Sequence, residues 1–266
     1  MGPDKKIIVQ SNWKMHKTHA EGIDWIGALK KIEPEVSPEI EMIACVPLTL
    51  LGAIAQAAQS SSKIFIGAQN IYWNTWGAYT GEISAPMIAD AGANYCVVGH
   101  SERREYFCET DEMVNKKNQA LLDAGIRPIV CIGESIEERQ KGLTFNKLER
   151  QVMTCFEGLS DAQMQETVIL YEPVWSIGTG HTATAQQAQD AHAFIRLMLE
   201  RVFSKETAGS SRIAYGGSVK THNAAELLAE KDIDGVGVGS GSLDVNDFIR
   251  IARLSSEYAA ANRIGY

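Results

Sequence analysis

The sequence predicts an α/β protein whose strands close into a single (β/α)8 barrel. Three observations carry that reading. Eight short apolar runs recur along the chain, continuous rather than alternating, as in strands covered on both faces. Stretches of helical period lie between them. Chemically reactive side chains fall just after several runs, where a barrel of this kind carries its function.

The runs are Ile7–Val9, Met42–Val46, Ile64–Ile66, Tyr95–Val98, Pro128–Ile132, Val168–Leu170, Arg212–Tyr215 and Gly235–Val238. Between them, Trp25, Ile26, Leu29 and Ile32 share one helical face, and Met113, Ala120, Leu121 and Ala124 share another. Phe194, Ile195, Met198, Leu199 and Val202 make the clearest helix, and Gly125 and Gly209 stand where helices should end. Strands alternating with helices imply parallel pairing and right-handed crossovers. Eight such units suit a closed barrel, with a doubly wound open sheet as the competing arrangement. No Pro/Ser/Gly-rich linker divides the chain, so one domain is expected over residues 1–266.

The chain is 45% hydrophobic over 266 residues, enough to bury a large core. A net charge of −8 and a pI of about 5.3 argue against a basic face for nucleic acid. No window reaches the ~18 apolar residues of a membrane span. The start, Met1-Gly2-Pro3-Asp4-Lys5-Lys6, has no signal-peptide apolar region, so a cytoplasmic location is expected. Cys45, Cys96, Cys108, Cys131 and Cys155 include no C-x-x-C pair and are odd in number, which predicts reduced, mostly buried thiols. The histidines His16, His19, His100, His181, His192 and His222 show no ligand spacing, so no metal site is expected.

The reactive residues cluster by position. After the first run comes Ser11-Asn12-Trp13-Lys14-Met15, after the fourth Gly99-His100-Ser101-Glu102-Arg103-Arg104, and after the sixth Glu172. A lysine, a histidine and a carboxylate would thus meet on one face of the barrel, a set suited to proton transfer beside an anion. Pro173 removes a backbone donor and stops the strand, and the Gly178-Thr179-Gly180 segment beyond it suits a hinged lid over a general base. Tyr215-Gly216-Gly217-Ser218 and Gly239-Ser240-Gly241-Ser242 follow the last two runs. With Gly178, their backbone N–H groups can bind a phosphate; the alternative is ordinary turns needing positive φ. No G-x-x-x-x-G-K-[ST] or G-x-G-x-x-G element precedes a helix, so a nucleotide is not implied.

Taken in order, Asn12-Trp13-Lys14-Met15, Gln69-Asn70, Gly77-Ala78-Tyr79-Thr80-Gly81-Glu82, Gly99 to Arg104, Cys131-Ile132-Gly133-Glu134, Tyr171 to Gly180 and Tyr215-Gly216-Gly217-Ser218 resemble the triosephosphate isomerase family over nearly the whole chain. The resemblance implies a TIM barrel and a cofactor-independent aldose–ketose isomerase of a small phosphorylated sugar. Dihydroxyacetone phosphate and D-glyceraldehyde 3-phosphate are the implied pair. Glu172 would move a proton between adjacent carbons. Neutral His100 would polarise the carbonyl, because the helix it opens disfavours imidazolium. Lys14, assisted by Asn12, would offset the enediolate and phosphate charge, and Glu102 would join proton handling. Gly178, Ser218, Gly239 and Ser240 would hold the phosphate. The lid, Pro173, Val174, Trp175, Ser176, Ile177, Gly178, Thr179, Gly180 and His181, would run on to about Ala183. No metal or organic cofactor is implied, nor a nucleic-acid or membrane partner. The family also implies a homodimer, with Met15, Trp73, Trp76 and Thr80 at the interface and Thr80 steadying the partner's Asn12 and the partner's Glu102.

Four departures from the family pattern stand out. His16-Lys17 follows Met15 where Asn-Gly is usual, and His181 ends the lid where lysine is usual. The eighth loop reads Val238-Gly239-Ser240-Gly241 in place of Val-Gly-Gly-Ala, and Gly237 replaces a leucine that lies against the substrate. Gly237 should leave extra room, which keeps a four-carbon ketose phosphate such as an erythrulose phosphate open as an alternative substrate. A non-catalytic phosphate-binding barrel and a barrel synthase or aldolase are further alternatives.

Overall fold

Eight parallel strands pair in chain order and close on themselves: β1 (Ile7–Asn12), β2 (Ile40–Cys45), β3 (Ile64–Ala68), β4 (Tyr95–Val98), β5 (Arg127–Ile132), β6 (Val168–Tyr171), β7 (Arg212–Tyr215) and β8 (Gly235–Val238). The structure is a computed structural model and describes residues 5–178 and 180–263. Pairing of Ile8, Val9, Gln10 and Ser11 with Gly235, Val236, Gly237 and Val238 joins the last strand to the first, which rules out the open sheet. All eight apolar runs fall on strands. β1 outlasts its run by three residues, because backbone pairing to β2 continues through Gln10, Ser11 and Asn12 although their side chains are polar.

Side chains alternate between two cores, as the period of a strand requires. Ile8, Ile43, Val97, Ile129, Val168 and Leu170 point into the barrel, where they form a separate cluster with Cys45, Tyr95, Cys131 and Ala214. Their sequence neighbours, such as Val9, Met42, Val98 and Ile169, face the helices and join the larger outer core. Each fully buried Val, Ile or Leu contributes roughly 1.5–3 kcal/mol. On the inner face of β1, Ile8 is followed at two-residue steps by Gln10 and Asn12, so that face turns polar toward the strand's C-terminal end.

The principal helices are His19–Ile32, Leu48–Ala58, Ala85–Asp90, Asp111–Asp123, Thr144–Cys155, Ala185–Val202, Ala224–Leu228 and Val245–Arg263. Short helices Ser101–Tyr106, Ile136–Gln140, Asp161–Glu166 and Lys205–Ser210 add to these. Trp25, Ile26, Leu29 and Ile32 are buried as predicted. The Asp111–Asp123 helix instead buries Val114, Lys117, Asn118 and Leu121, and Met113, Ala120 and Ala124 are only half-buried. Lys117 can be buried because its ammonium meets Glu109 at 2.9 Å and Asn70 Oδ1 at 2.8 Å, a pairing that apolar periodicity does not register. Val202 is exposed and Phe194 half-buried; the inner face of that helix is Ala188, Ala191, His192, Ile195, Met198 and Leu199. Gly125 does terminate its helix, with φ 71°. Gly209 does not: it lies inside Lys205–Ser210, which starts where Ser204 accepts a hydrogen bond from the Thr207 N–H at 3.1 Å.

The N-terminal end of the barrel is closed by ion pairs. Asp234 meets Lys5 at 2.8 Å and Arg196 at 2.7 Å, and accepts from the Ile213 N–H at 2.9 Å. Glu41 accepts from Tyr95 at 2.7 Å and pairs with Arg212 at 2.8 Å. Among the described residues, no helix is long and apolar enough to cross a membrane.

Candidate active site

Gly99, with φ 72°, turns the chain after β4 so that His100 caps the helix Ser101–Tyr106. His100 Nδ1 accepts from the backbone N–H of Glu102 at 3.2 Å. A nitrogen that accepts carries no proton, so the ring is neutral and its proton sits on Nε2. Nε2 lies 3.1 Å from Glu172 Oε1. The other carboxylate oxygen, Oε2, accepts from the Ser101 N–H at 3.0 Å. Glu172 follows β6 directly and is 3% exposed, with its backbone N–H still bonded to Ile132 O at 2.7 Å. Gly133 makes this approach possible: a Cβ there would sit 1.7 Å from the Glu172 carbonyl oxygen.

Lys14 adopts φ 51°, a left-handed conformation uncommon for a residue with a side chain. Such strain costs about 1–3 kcal/mol and persists where the surroundings over-determine it. Here the Lys14 N–H donates to Asn12 Oδ1 at 3.0 Å, and its carbonyl accepts from Gln69 Nε2 at 3.0 Å. Lys14 Nζ then meets Glu102 Oε1 at 2.6 Å. Both side chains are partly exposed, so this pair adds ~0–1 kcal/mol; its effect is to aim the ammonium.

Asn12, Lys14, His100, Glu172, Gly178, Ser218, Gly237, Gly239 and Ser240 all line one cavity of ≈ 190 Å³. Ser240 opens a three-residue 3-10 helix, Ser240–Ser242, and is not among the residues with positive φ. The glycines of the last two loops likewise do not need positive φ; Gly216 and Gly217 are required by close approach to Leu170 and to the Tyr215 hydroxyl. Four lining residues escaped the sequence reading: Gln10, Leu170, Val219 and Lys220. Leu170 corrects the expectation for Gly237. A Cβ on Gly237 would lie 2.8 Å from Leu170 Cδ1 and 3.0 Å from Gln10 Oε1, so the space a side chain would take there is already used. The signal was present in the strand period: Leu170 stands two residues before Glu172 and shares its inward face.

The segment expected to act as a lid begins with Pro173 and the 3-10 turn Val174–Ser176, in which the Ser176 hydroxyl donates to Pro173 O at 2.9 Å. Trp175 Nε1 donates to the fully buried Glu134 at 2.9 Å, and Arg139 pairs with the same carboxylate at 3.1 Å. Tyr171 donates to Glu134 as well, at 3.0 Å. This rigid base gives way to Gly178 and Gly180, with φ 70° and 81° and open space beside each. His181 is exposed, and Thr179 lies outside the described residues. Among the loop residues assigned to an interface, Met15 is 95% and Trp76 71% exposed, and Thr80 is exposed too. Trp73 is half-buried, stacked on Tyr72 at 4.1 Å, and Ile71 in the same loop belongs to the core.

The five cysteines are free, and four are buried. Burial, reinforced by the Glu172 charge, pushes the Cys131 thiol well above its ordinary range, so it is a packed thiol and not a nucleophile.

A family model described as triosephosphate isomerase matches residues 7–255. The chain belongs to the triosephosphate isomerase family. Triosephosphate isomerases of Moorella thermoacetica and Syntrophotalea carbinolica are 47% identical over 247 residues and 46% identical over 252 residues. The first alignment covers 93% of this chain and 98% of that protein, the second 95% and 99%. The enzyme of Alkaliphilus oremlandii is 44% identical over 247 residues, covering 93% of this chain and 98% of its own length. Glu172, His100 and Lys14 stand within the stretch that the triosephosphate isomerase model matches.

Proposed function

We propose that this chain interconverts dihydroxyacetone phosphate and D-glyceraldehyde 3-phosphate by proton transfer through an enediolate. The observation that carries the reading is the 3.1 Å approach of His100 Nε2–H to the Glu172 carboxylate, with Nδ1 engaged by the Glu102 N–H. A base and a neutral hydrogen-bond donor then face one cavity that also receives the Lys14 ammonium. Glu172 takes a proton from the carbinol carbon. His100 donates through Nε2 to the carbonyl oxygen as charge develops there, and Lys14 offsets the charge of enediolate and phosphate. Glu172 returns the proton to the neighbouring carbon, so one carbonyl is lost as another forms. Gly178, Ser218, Gly239 and Ser240 bind the phosphate, Asn12 and Glu102 hold Lys14, and closure of the lid keeps water from the intermediate.

The whole barrel acts as one domain, in a homodimer. Exposed Met15 and Trp76 support the dimer, since aromatic and methionine side chains anchor interfaces. A chain rich in free thiols suits the reducing cytoplasm. The test is kcat/KM for dihydroxyacetone phosphate in a coupled assay. A value near the ~10⁸ M⁻¹s⁻¹ ceiling that triosephosphate isomerases reach is expected; no turnover by a folded preparation would sink the reading.

A further inference from the structure

Among the described residues, two cations line the cavity, Lys14 and Lys220. Lys14 is already committed to Glu102 at 2.6 Å. His100 is neutral, because its Nδ1 accepts from the Glu102 N–H. Glu172 adds a carboxylate to the same wall. Without Lys220, a phosphate dianion would therefore meet a wall of net negative charge, on a chain that already carries −8. Lys5, Lys14 and Lys117 are each paired with a carboxylate. The Lys220 ammonium has no hydrogen-bond or ion-pair partner among the described residues.

The chain around Lys220 holds it at the cavity. Its backbone N–H donates to Asn223 Oδ1 at 2.8 Å, and Asn223 Nδ2 donates to Ser218 O at 2.9 Å. Asn223 is buried, so one fixed amide brackets the turn from Ser218 to Lys220. Val219, between them, packs into the outer core. The Lys220 side chain then leads toward the loop after β8, where a Cβ on Gly241 would stand 3.8 Å from Nζ. With glycine at 241 no side chain covers the ammonium, and it shares the cavity wall with Ser218, Gly239 and Ser240.

We propose that Lys220 is a further substrate-binding residue, a second ammonium that draws in and holds the substrate's phosphate from the loop after β7. This rests on the isomerase reading above. The group it recognises is a phosphate monoester dianion. The loops after β7 and β8 orient the phosphate, and Lys220 adds a charge-assisted hydrogen bond and a positive field at the mouth. An ammonium is a compact charge on a flexible stem, so it can follow the phosphate as it enters. It touches no reacting atom, and no proton passes through it.

The experiment measures the Kd of inorganic phosphate by calorimetry and kcat/KM for dihydroxyacetone phosphate across a range of ionic strength. It compares the native sequence with Lys220→Met, Lys220→Arg and Lys31→Met. Methionine keeps the length of the side chain and removes the charge. Lys31 is exposed in the last turn of the helix His19–Ile32, so Lys31→Met makes the same change of net charge outside the cavity. Lys220→Met should raise the phosphate Kd by about 10-fold, the equivalent of one charge-assisted hydrogen bond. It should lower kcat/KM by a similar factor at low salt and flatten the decline with salt, because screening removes the field it supplied. The loss should appear in KM more than in kcat, since the phosphate does not react. Lys220→Arg should restore both readouts, and Lys31→Met should move neither. An unchanged Kd and salt slope in Lys220→Met would overturn the proposal and leave Lys220 a solvated side chain. A fall in kcat with an unchanged Kd would overturn it as well, assigning Lys220 to the structure of its loop. A folded native chain that binds phosphate without turning over the triose would remove the isomerase reading alone, and the Kd comparison would still decide Lys220. Should Lys220→Met not fold, Lys220→Gln carries the same expectation.

Discussion

The two ends of the barrel use the same kinds of side chain in opposite ways. At the N-terminal end, Asp234, Lys5 and Arg196 bond one another and the backbone, and Glu41 does the same with Tyr95 and Arg212. At the C-terminal end, Glu172 and Lys14 are held by only a few contacts, beside a cavity, and Gln10 keeps one polar atom unpaired. Charges that are mutually satisfied hold strands in register. Charges aimed at a cavity are kept for a ligand. Substitutions should therefore separate stability from catalysis according to the end at which they fall.

The largest expected effect lies at the closed end. Asp234→Ala strands the Lys5 ammonium and leaves Arg196 with Asp232 as its one carboxylate partner, and removing one partner of a buried pair costs about 3–5 kcal/mol. Denaturant unfolding should show it, while kcat of the folded fraction stays nearly unchanged. A large kcat defect there would break the comparison.

His192 gives the next effect, through pH. It packs between Tyr171 and Tyr215, with Nδ1 3.3 Å from Asp232 O, and burial lowers its pKa from 6.5 to about 4. The unfolded chain binds its proton below pH 6.5 and the folded chain only near pH 4. The unfolded state therefore gains protons first, and stability falls as pH drops through that window. The full shift corresponds to roughly 3 kcal/mol. Unfolding midpoints between pH 7 and pH 4 should show this slope, and His192→Phe should flatten it.

Glu172→Asp retracts the base by one methylene, and misplacement of about 1 Å costs on the order of 100-fold in rate. It should do so with little change in unfolding free energy, the reverse of Asp234→Ala. The smallest effect belongs to Gly237→Leu. Its side chain collides with Leu170 and Gln10, and overpacking of this kind costs about 1–3 kcal/mol. Leu170→Ala added to Gly237→Leu should recover part of that loss, because the two sites share one space. Purely additive losses would show that Leu170 does not fill the Gly237 space.

Much of this was legible in the sequence for a physical reason. A parallel strand buried on both faces is apolar over most of its length, so each of the eight strands announced itself by a run. Lys14, His100 and Glu172 could be placed on one face because each follows such a run. Gln10 and Leu170 were not legible in that way. Gln10 lies just past the apolar run Ile7–Val9, yet strand pairing continues through it. Leu170 read as ordinary core, and only its parity with Glu172 marks it as pocket-lining. Gly237 read as added space, since a missing side chain cannot say which neighbour moves in. Lys117 was likewise hidden, because its burial depends on Glu109, which lies outside its helix, and on Asn70, 47 residues away in sequence.

The claim that Glu172 moves a proton, and that no hydride passes between the carbons, is tested most directly by isomerising dihydroxyacetone phosphate in D2O and reading the product by NMR. A carboxyl proton exchanges with solvent, so the account predicts deuterium on the carbon beside the new carbonyl, and none above background with Glu172→Gln. Turnover that leaves this carbon wholly protonated would contradict it.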